Sequence, residues 1–305
     1  MLITDLYNDI LIKPAQAPEI DRLKIISGFA TGNFAGDHMK QLGLMKKPLN
    51  VELIVGMTSS MGIERGRHLI LQNLTRDIPH NINFSCRYVC DAPPVHAKAY
   101  CWCSGEKPIS AFVGSANYTR TAFSTKQTEA MMDADAGLVA AFHESVNLRT
   151  ISCLEAGVAD RITLTQTRWP KEKSEHSVEL SLLTRHGDTP TASGINWGQR
   201  ENRNRDQAYI NISAEINKTG FFPERRVSFA VETDDAQNFV MVRAQDSGKG
   251  LHTTNSNALL GRYLRKRMGV SSGEYVTRQH LLAYGRSTVT FTKIDDETYL
   301  MDFSV

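Results

Sequence analysis

No apolar run in this 305-residue chain approaches the roughly 18 residues that a membrane span needs. The first residues, Met1-Leu-Ile-Thr-Asp5, lack the basic stretch, apolar stretch and cleavage pattern of a secretory signal. Cysteine is scarce: five residues, an odd number spread thinly, exclude a disulfide scaffold and read as reduced thiols in a cytoplasmic protein. Charge of one sign is also missing, since a formal net charge of +2 points to no partner. Internal repeats and low-complexity tracts are absent, so solenoid and disordered classes drop out. With 41% hydrophobic and 22% charged residues, the chain can bury one large core or two ordinary ones. The expectation is a soluble intracellular protein with no membrane partner.

Two patterns divide the chain. In the first half, Leu23–Ser27, Val51–Val55 and Ile109–Val113 are short, apolar and bounded by Gly or Pro, so they read as buried strands. Helical spacing over Asn33–Leu42, Gly62–Arg76 and Ala134–Val146 alternates with them. That alternation predicts an α/β layered domain with a largely parallel sheet. In the second half, Tyr209–Ser213, Val227–Val231, Asn238–Val242 and Thr288–Thr292 alternate apolar with polar residues, as half-buried strands do. Only Ala258–Met268 looks clearly helical there, and short strands at this spacing suggest a small barrel. The composition shift near Trp169–Thr191 marks the boundary. The expected division is a first domain over 1–170, a linker over 171–190 and a second domain over 191–305.

The second half also carries a local basic excess. Between 243 and 286, Arg243, Lys249, Arg262, Arg265, Lys266, Arg267, Arg278 and Arg286 face only Asp246 and Glu274. Such a run suits a polyanion partner, or equally a solvated face.

Chemistry concentrates in Val95-His96-Ala97-Lys98-Ala99-Tyr100, then Gly114-Ser115-Ala116-Asn117-Tyr118, then Glu129. On a strand, His96 and Lys98 share one face with Cα atoms roughly 6.6 Å apart. An ammonium there offsets phosphate charge, and a neutral imidazole serves as nucleophile or proton carrier. Ser115 and Asn117, again two apart, can donate to the same phosphoryl oxygens. Glu129 can orient a histidine by accepting its second N–H, as the third member of a triad does. Cys86, Cys90, Cys101 and Cys103 invite a zinc reading, but Cys-x3-Cys and Cys-x-Cys are not usual ligand pairs, so no metal is expected. The other histidines (His38, His68, His80, His143, His176, His186, His252 and His280) show no ligand spacing and read as surface or capping residues.

In order and spacing these residues resemble the phospholipase D superfamily, whose signature is His-x-Lys followed by Gly-Ser or Gly-Gly-x-Asn. One departure stands out: the superfamily's Asp five residues after the Lys is Cys103 here. Glu129 is then left as the acidic partner, as in the restriction-endonuclease branch. The resemblance implies a phospholipase D-like sandwich in which two His-Lys pairs form one site. One histidine attacks phosphorus to give a phosphohistidine, the other protonates the leaving oxygen, and neither metal nor cofactor takes part. This chain has a single pair, so the resemblance implies a homodimer in which each copy supplies His96, Lys98, Ser115, Asn117 and Glu129. The alternative is a monomer in which another histidine, such as His68 or His80, supplies the acid.

The second half strengthens the resemblance. Asn196-Trp-Gly-Gln-Arg200, Phe221-Phe-Pro223, Leu260-Gly-Arg-Tyr-Leu-Arg265, Tyr284-Gly-Arg286 and Tyr299–Ser304 look like the C-terminal half of NgoFVII-type restriction endonucleases. Members follow the nuclease with a mostly-β, B3-type pseudobarrel that reads double-stranded DNA. Two polar stretches, Ser193–Asp206 and Ala244–Asn257, are the candidate reading arms, or two ordinary surface loops. By chemistry the candidate contacts are Trp197, Gln199, Arg200, Asn202, Arg203 and Arg205 on the first arm, Lys249, Thr254 and Asn255 on the second, and Arg225. The implied activity is that of a type II-like endodeoxyribonuclease of a restriction-modification system, working beside a cognate DNA methyltransferase. A nuclease subunit switched on by a partner ATPase or helicase, a non-specific nuclease and a lipid-acting phospholipase D remain as competitors.

Overall fold

A computed structural model describes the chain except residues 1, 4, 76–77, 125–126, 168–175, 245–247 and 255. It forms two units, Met1–Thr165 and Gln166–Val305. The first unit runs β1 (Leu2–Ile3), β2 (Arg22–Ser27), α1 (Gly32–Gly43), β3 (Leu49–Val55), β4 (Ile63–Glu64), α2 (Arg65–Leu74), β5 (Ile82–Val89), β6 (Lys98–Ser104) and β7 (Lys107–Gly114). It continues through β8 (Met131–Ala134), α3 (Ala136–Asn147), β9 (Thr150–Ser152), α4 (Val158–Arg161) and β10 (Leu164–Thr165).

Eight strands make one sheet in the order β1-β8-β7-β6-β2-β3-β5-β9, and β4 pairs separately with β10. The layered α/β expectation holds, but the largely parallel one does not. Within the eight-stranded sheet only β2–β3 and β3–β5 are parallel, and the other five pairings are antiparallel. The reason lies in the connections. A helix follows β2 and another precedes β5, but no helix is described between β5 and β8, so the chain turns straight back on itself.

Leu23, Ile25, Val51 and Leu53 point to one face of the sheet and pack with Phe34, Met39 and Leu71 from α1 and α2. Ile26, Ile54, Ala99, Cys101 and Ala111 point to the other and pack with Val139, Ala140 and Val146 from α3. The period of two along each strand therefore feeds two cores. Cys101 and Cys103 lie in the second core with their sulfurs 3.8 Å apart.

The second unit runs β11 (Ser177–Ser181), β12 (Ile210–Asn211), α5 (Ala214–Lys218), β13 (Ser228–Thr233), β14 (Asn238–Ala244), β15 (Gly250–Thr253), α6 (Ala258–Arg267), α7 (Arg278–Tyr284), β16 (Thr288–Lys293) and β17 (Thr298–Asp302). Its sheet has the order β11-β16-β17-β13-β14-β15-β12, antiparallel except for β13–β17. The two edge strands, β11 and β12, come together, so the sheet curls almost into a barrel. Phe229, Val231, Met241, Leu251, Phe291, Tyr299 and Met301 fill its interior with Leu260 and Leu264 of α6.

Two expectations are corrected here. The stretch 171–190, read as a linker, contains β11, whose Val178 and Leu180 pair with Phe291 and Val289 of β16. A strand this short, next to His and charged residues, shows its alternation only beside its partner. The second correction is α7, which follows α6. Thr277 and His280 form a capping box at its start, and Gly285 ends it at φ 93°, a conformation that favours glycine.

Candidate active site

The antiparallel turns of the first sheet bring its motifs to one end. Ser27, the last residue of β2, pairs with Lys98, the first of β6. Ala99 pairs with Val113 near the end of β7, and Gly114 pairs with Met131 at the start of β8. His96, Lys98, Ser115, Asn117 and Glu129 therefore gather at one sheet end, although 33 positions separate the first from the last.

Within this group the two signature residues touch directly. Lys98 Nζ lies 3.0 Å from His96 Nε2 and donates to the His96 carbonyl at 2.7 Å. With a charged ammonium as donor, Nε2 carries the lone pair and Nδ1 the proton. Lys98 itself is buried, and that burial lowers its pKa from the ordinary lysine value while Glu129 opposes the shift. His96 is exposed and sits in the loop just before β6, two residues short of the strand expected to hold it. The loop is drawn in at Gly56, where a Cβ would come within 1.9 Å of the Val95 carbonyl oxygen.

Ser115 and Asn117 occupy the turn after β7. The Ser115 hydroxyl donates to Glu129 Oε2 and accepts from the Ala130 N–H at 3.0 Å. Glu129 is thus engaged by Ser115 within the chain, rather than by the histidine it was expected to orient. The Asn117 side-chain carbonyl accepts from the Phe29 N–H at 3.1 Å and lies 3.4 Å from the Ser27 hydroxyl. That leaves the amide NH2 as the end able to donate to a ligand.

In the second unit the first arm is folded rather than loose. Trp197 and Gln199 lie in a 3-10 segment, Gly194–Gln199. Buried Asn196 anchors it by donating to the Pro190 and Val276 carbonyls and accepting from the Val276 N–H. Gln199 donates to the Gly273 and Arg205 carbonyls, and Arg200 donates to the Ala192 carbonyl at 2.7 Å. Arg203 stacks on Trp197 with its guanidinium carbon 4.4 Å from the ring centroid, and Tyr209 meets the same indole edge-on. Asn202 has φ 58°, and Arg205 is exposed. On the second arm Lys249 is exposed, and Thr254 hydrogen-bonds the Val240 carbonyl through both its N–H and its hydroxyl. Asn255 lies outside the described residues. Arg225 is exposed in the turn before β13.

Five members of the basic run are held by partners within the unit, although Arg262 stays exposed. Arg243 donates to Gly248, Phe222, Pro223 and Asn217, and Arg286 donates to Asp302 and Ser304. Arg262 and Arg265 pair with Asp206, and Arg267 pairs with Asp234. Asp206, Asp234 and Asp302 all lie outside the window in which the excess was counted. Lys249, Lys266 and Arg278 stay exposed.

Both halves match one family. Residues 4–160 match the NgoFVII restriction endonuclease N-terminal PLD domain, and residues 171–295 match the NgoFVII C-terminal B3-like DNA-binding domain. The chain belongs to the NgoFVII restriction endonuclease family. It is a nuclease with a DNA-binding domain of its own, and its partner is DNA. In this family the first unit is the phospholipase D-like fold, and the curled seven-stranded sheet is the B3-like pseudobarrel. No curated protein matches the chain. Among solved structures it is similar to Nuc, a phospholipase D family member from Salmonella typhimurium, at 19% identity over 46% of this chain and 86% of that one, with TM-score 0.32. It is also similar to NucT from Helicobacter pylori, at 13% identity over 50% of this chain and 97% of that one, with TM-score 0.34. No helix among the described residues is long and apolar enough to cross a membrane.

Sequence reading missed the floor of the candidate site. Ser27 accepts from the Tyr118 N–H at 2.9 Å and donates to the Phe29 carbonyl, tying β2 to the Asn117 turn. Gly28 lies under the imidazole, where a Cβ would be 2.9 Å from His96 Cδ2, and Phe29 meets that ring edge-on at 6.0 Å. The available signal was Ser27-Gly28-Phe29 closing a buried strand. The histidine reading also needs correction, because His38, His68 and His143 are buried. His38 donates from Nε2 to the Leu11 carbonyl and accepts from the Tyr118 hydroxyl, which props the Asn117 turn from behind. His68 is held by the Tyr88 hydroxyl at 2.9 Å.

Proposed function

We propose that this family member is a sequence-specific endonuclease of a restriction system, of type II-like character, that cuts DNA without a metal ion at a centre shared by two copies of the chain. The carrying observation is the His96–Lys98 contact at 3.0 Å, with a single such pair in each chain. A lone pair on Nε2 beside an ammonium suits attack on phosphorus. In the first step His96 Nε2 forms the P–N bond while the bridging P–O bond breaks. The leaving oxygen takes its proton from His96 of a second copy. Water then attacks phosphorus and gives its proton to that second imidazole, and the P–N bond breaks, restoring both histidines and releasing a phosphomonoester.

Lys98 and the Asn117 amide hold the non-bridging oxygens as charge builds on them. Ser115, fixed by Glu129, adds its hydroxyl oxygen to the same end of the sheet. The allocation that goes with this reading is nuclease and pairing functions within 1–170 and base reading within 191–305. Trp197, Arg203 and Arg205 are its foremost candidates for DNA contact.

Mixing wild-type and His96→Ala chains tests the shared centre. Cleavage in excess chelator should persist, and activity should fall faster than the wild-type fraction after subunit exchange. A strictly linear fall, or cleavage that needs added magnesium, would overturn this reading.

A further inference from the structure

On the sheet face that carries α3, apolar Ile26 and Ile54 give way to Lys24 and Glu52 away from the His96 end. There Glu52 of β3, Arg87 of β5, and His143 and Asn147 of α3 line a cavity of about 240 Å³. His143 is 2% exposed, and neither of its ring nitrogens has a hydrogen-bond partner. The Glu144 carboxylate comes only within 3.8 Å of Nδ1. A buried polar group left in this way calls for an explanation. Burial, helped by the charge of Lys24, holds its pKa at about 4 and keeps the ring neutral.

The other lining groups are also only partly used. Glu52 accepts no hydrogen bond among the described residues, and its nearest ion-pair contact is Arg22 Nε at 3.6 Å. Arg87 gives Nε and Nη2 to Thr150 at 2.7 and 3.0 Å, which leaves Nη1 as a donor. Asn147 turns its side-chain oxygen to the Thr150 hydroxyl at 3.1 Å, which leaves its NH2. One cavity thus holds an unfilled acceptor, two unfilled donors and a neutral imidazole. Strand register sets their spacing. Glu52 pairs with Ser85, and Arg87 lies two residues further along β5, so their Cα atoms stand roughly 4.8 Å apart across the strands and 6.6 Å along them.

We infer that this cavity binds a free guanine nucleoside, with Glu52 accepting from N1–H and N2–H2 of the base and Arg87 donating to O6 and N7. Size argues first: the volume falls below the roughly 300–1,000 Å³ of drug-sized sites, so a single small ring system fills it. Charge argues next. Arg22 and Lys24 already answer Glu52, and an ammonium brought to that carboxylate would meet their repulsion, so the donors must be neutral. Guanine sets two adjacent N–H donors beside acceptors that a guanidinium matches, and adenine does not. The inference is independent of the shared-centre reading. Lys24, the partner of Glu52, lies three residues, or roughly 10 Å, back along β2 from Ser27 at the active end.

Saturation-transfer NMR on the full chain tests this with guanosine, inosine, adenosine and glucose as probes. Guanosine should bind with a Kd below about 1 mM. Inosine, which lacks the N2 amine, should bind at least tenfold more weakly, and adenosine and glucose should give no signal. Glu52→Gln keeps the side chain's shape but exchanges an acceptor for a donor. It should weaken guanosine at least tenfold with unchanged far-UV circular dichroism, while His96→Ala should bind guanosine as wild type does. No guanosine signal, or binding of inosine, adenosine or glucose as tight as that of guanosine, overturns the assignment of the base. Guanosine that binds Glu52→Gln as tightly as wild type, or that is lost in His96→Ala, sits elsewhere and overturns the site. Should Glu52→Gln misfold, the inosine comparison on the wild-type chain decides by itself.

Discussion

In the nuclease unit the polar side chains singled out by sequence stand together at one end of a sheet. In the DNA-binding unit the arginines singled out by charge mostly turn inward, to Asp206, Asp234, Asp302 and backbone carbonyls. Arg265 is 1% exposed and donates to the Glu274 carbonyl, while Asp206 accepts from Ser272, Gly273 and Arg262 around it. In the first unit the signature residues hold one another at the sheet end, while the second unit uses much of its charge to hold its own loops. A basic excess counted over a window is therefore weak evidence for a polyanion, because the acids that answer it come from elsewhere in the chain. A motif spaced two apart at a strand end is strong evidence, because the backbone sets its geometry.

The largest effect should separate the two units. His96→Ala should lower cleavage by about four orders of magnitude or more, with gel-shift affinity for DNA nearly unchanged. Parallel nicking and binding assays check this, and a folded variant that loses both would break the comparison. Next, Arg265→Ala should destabilise the second unit by roughly 3–5 kcal/mol, because it opens a buried pair and frees three carbonyls. Urea unfolding of the full chain should show one transition moving while the other stays. Two unmoved transitions would mean that the inward arginine is dispensable.

Acid should act on the first unit. Burial holds His38, His68 and His143 at a pKa of about 4, below the ordinary histidine value. They stay neutral in the fold, whereas the unfolded chain takes up protons as the pH drops below about 6.5. Stability from this source is complete above that pH and is lost as pH falls toward 4, on the order of 3 kcal/mol for each histidine. Thermal melts between pH 7 and 4 should show the loss, and replacing His68 with Gln should flatten the curve. The smallest effect is expected from Lys249→Ala, since that side chain is exposed. Stability should hold within about 0.5 kcal/mol, and DNA binding should weaken evenly across sequences with a salt slope lower by roughly 1. A sequence-dependent loss would instead assign Lys249 to base reading.

What could be read directly was local. Short apolar runs bounded by Gly or Pro placed β2, β3 and β7 within one or two residues of their ends, because such a run and its punctuation lie within the segment itself. The same holds for α6, whose apolar stripe is its own. The residues of the His-x-Lys and Ser-x-Asn spacings come to one and the same end of the sheet, with Glu129 at Ser115. Strand β11 was not legible, since its two apolar residues mean little until β16 lies beside them.

By itself, then, the amino-acid sequence determined the periodic strands, the two cores they feed and the family its motifs carry. Tertiary structure alone decided that the first sheet is mixed, that Glu129 meets Ser115, and that Gly28 and Ser27 form the floor beneath His96. It also decided which arginines turn inward. The physical reason is range: periodicity and spacing act between neighbours along the backbone. A long side chain takes its partner from whichever segment the fold brings within about 3 Å, and no local pattern encodes that choice.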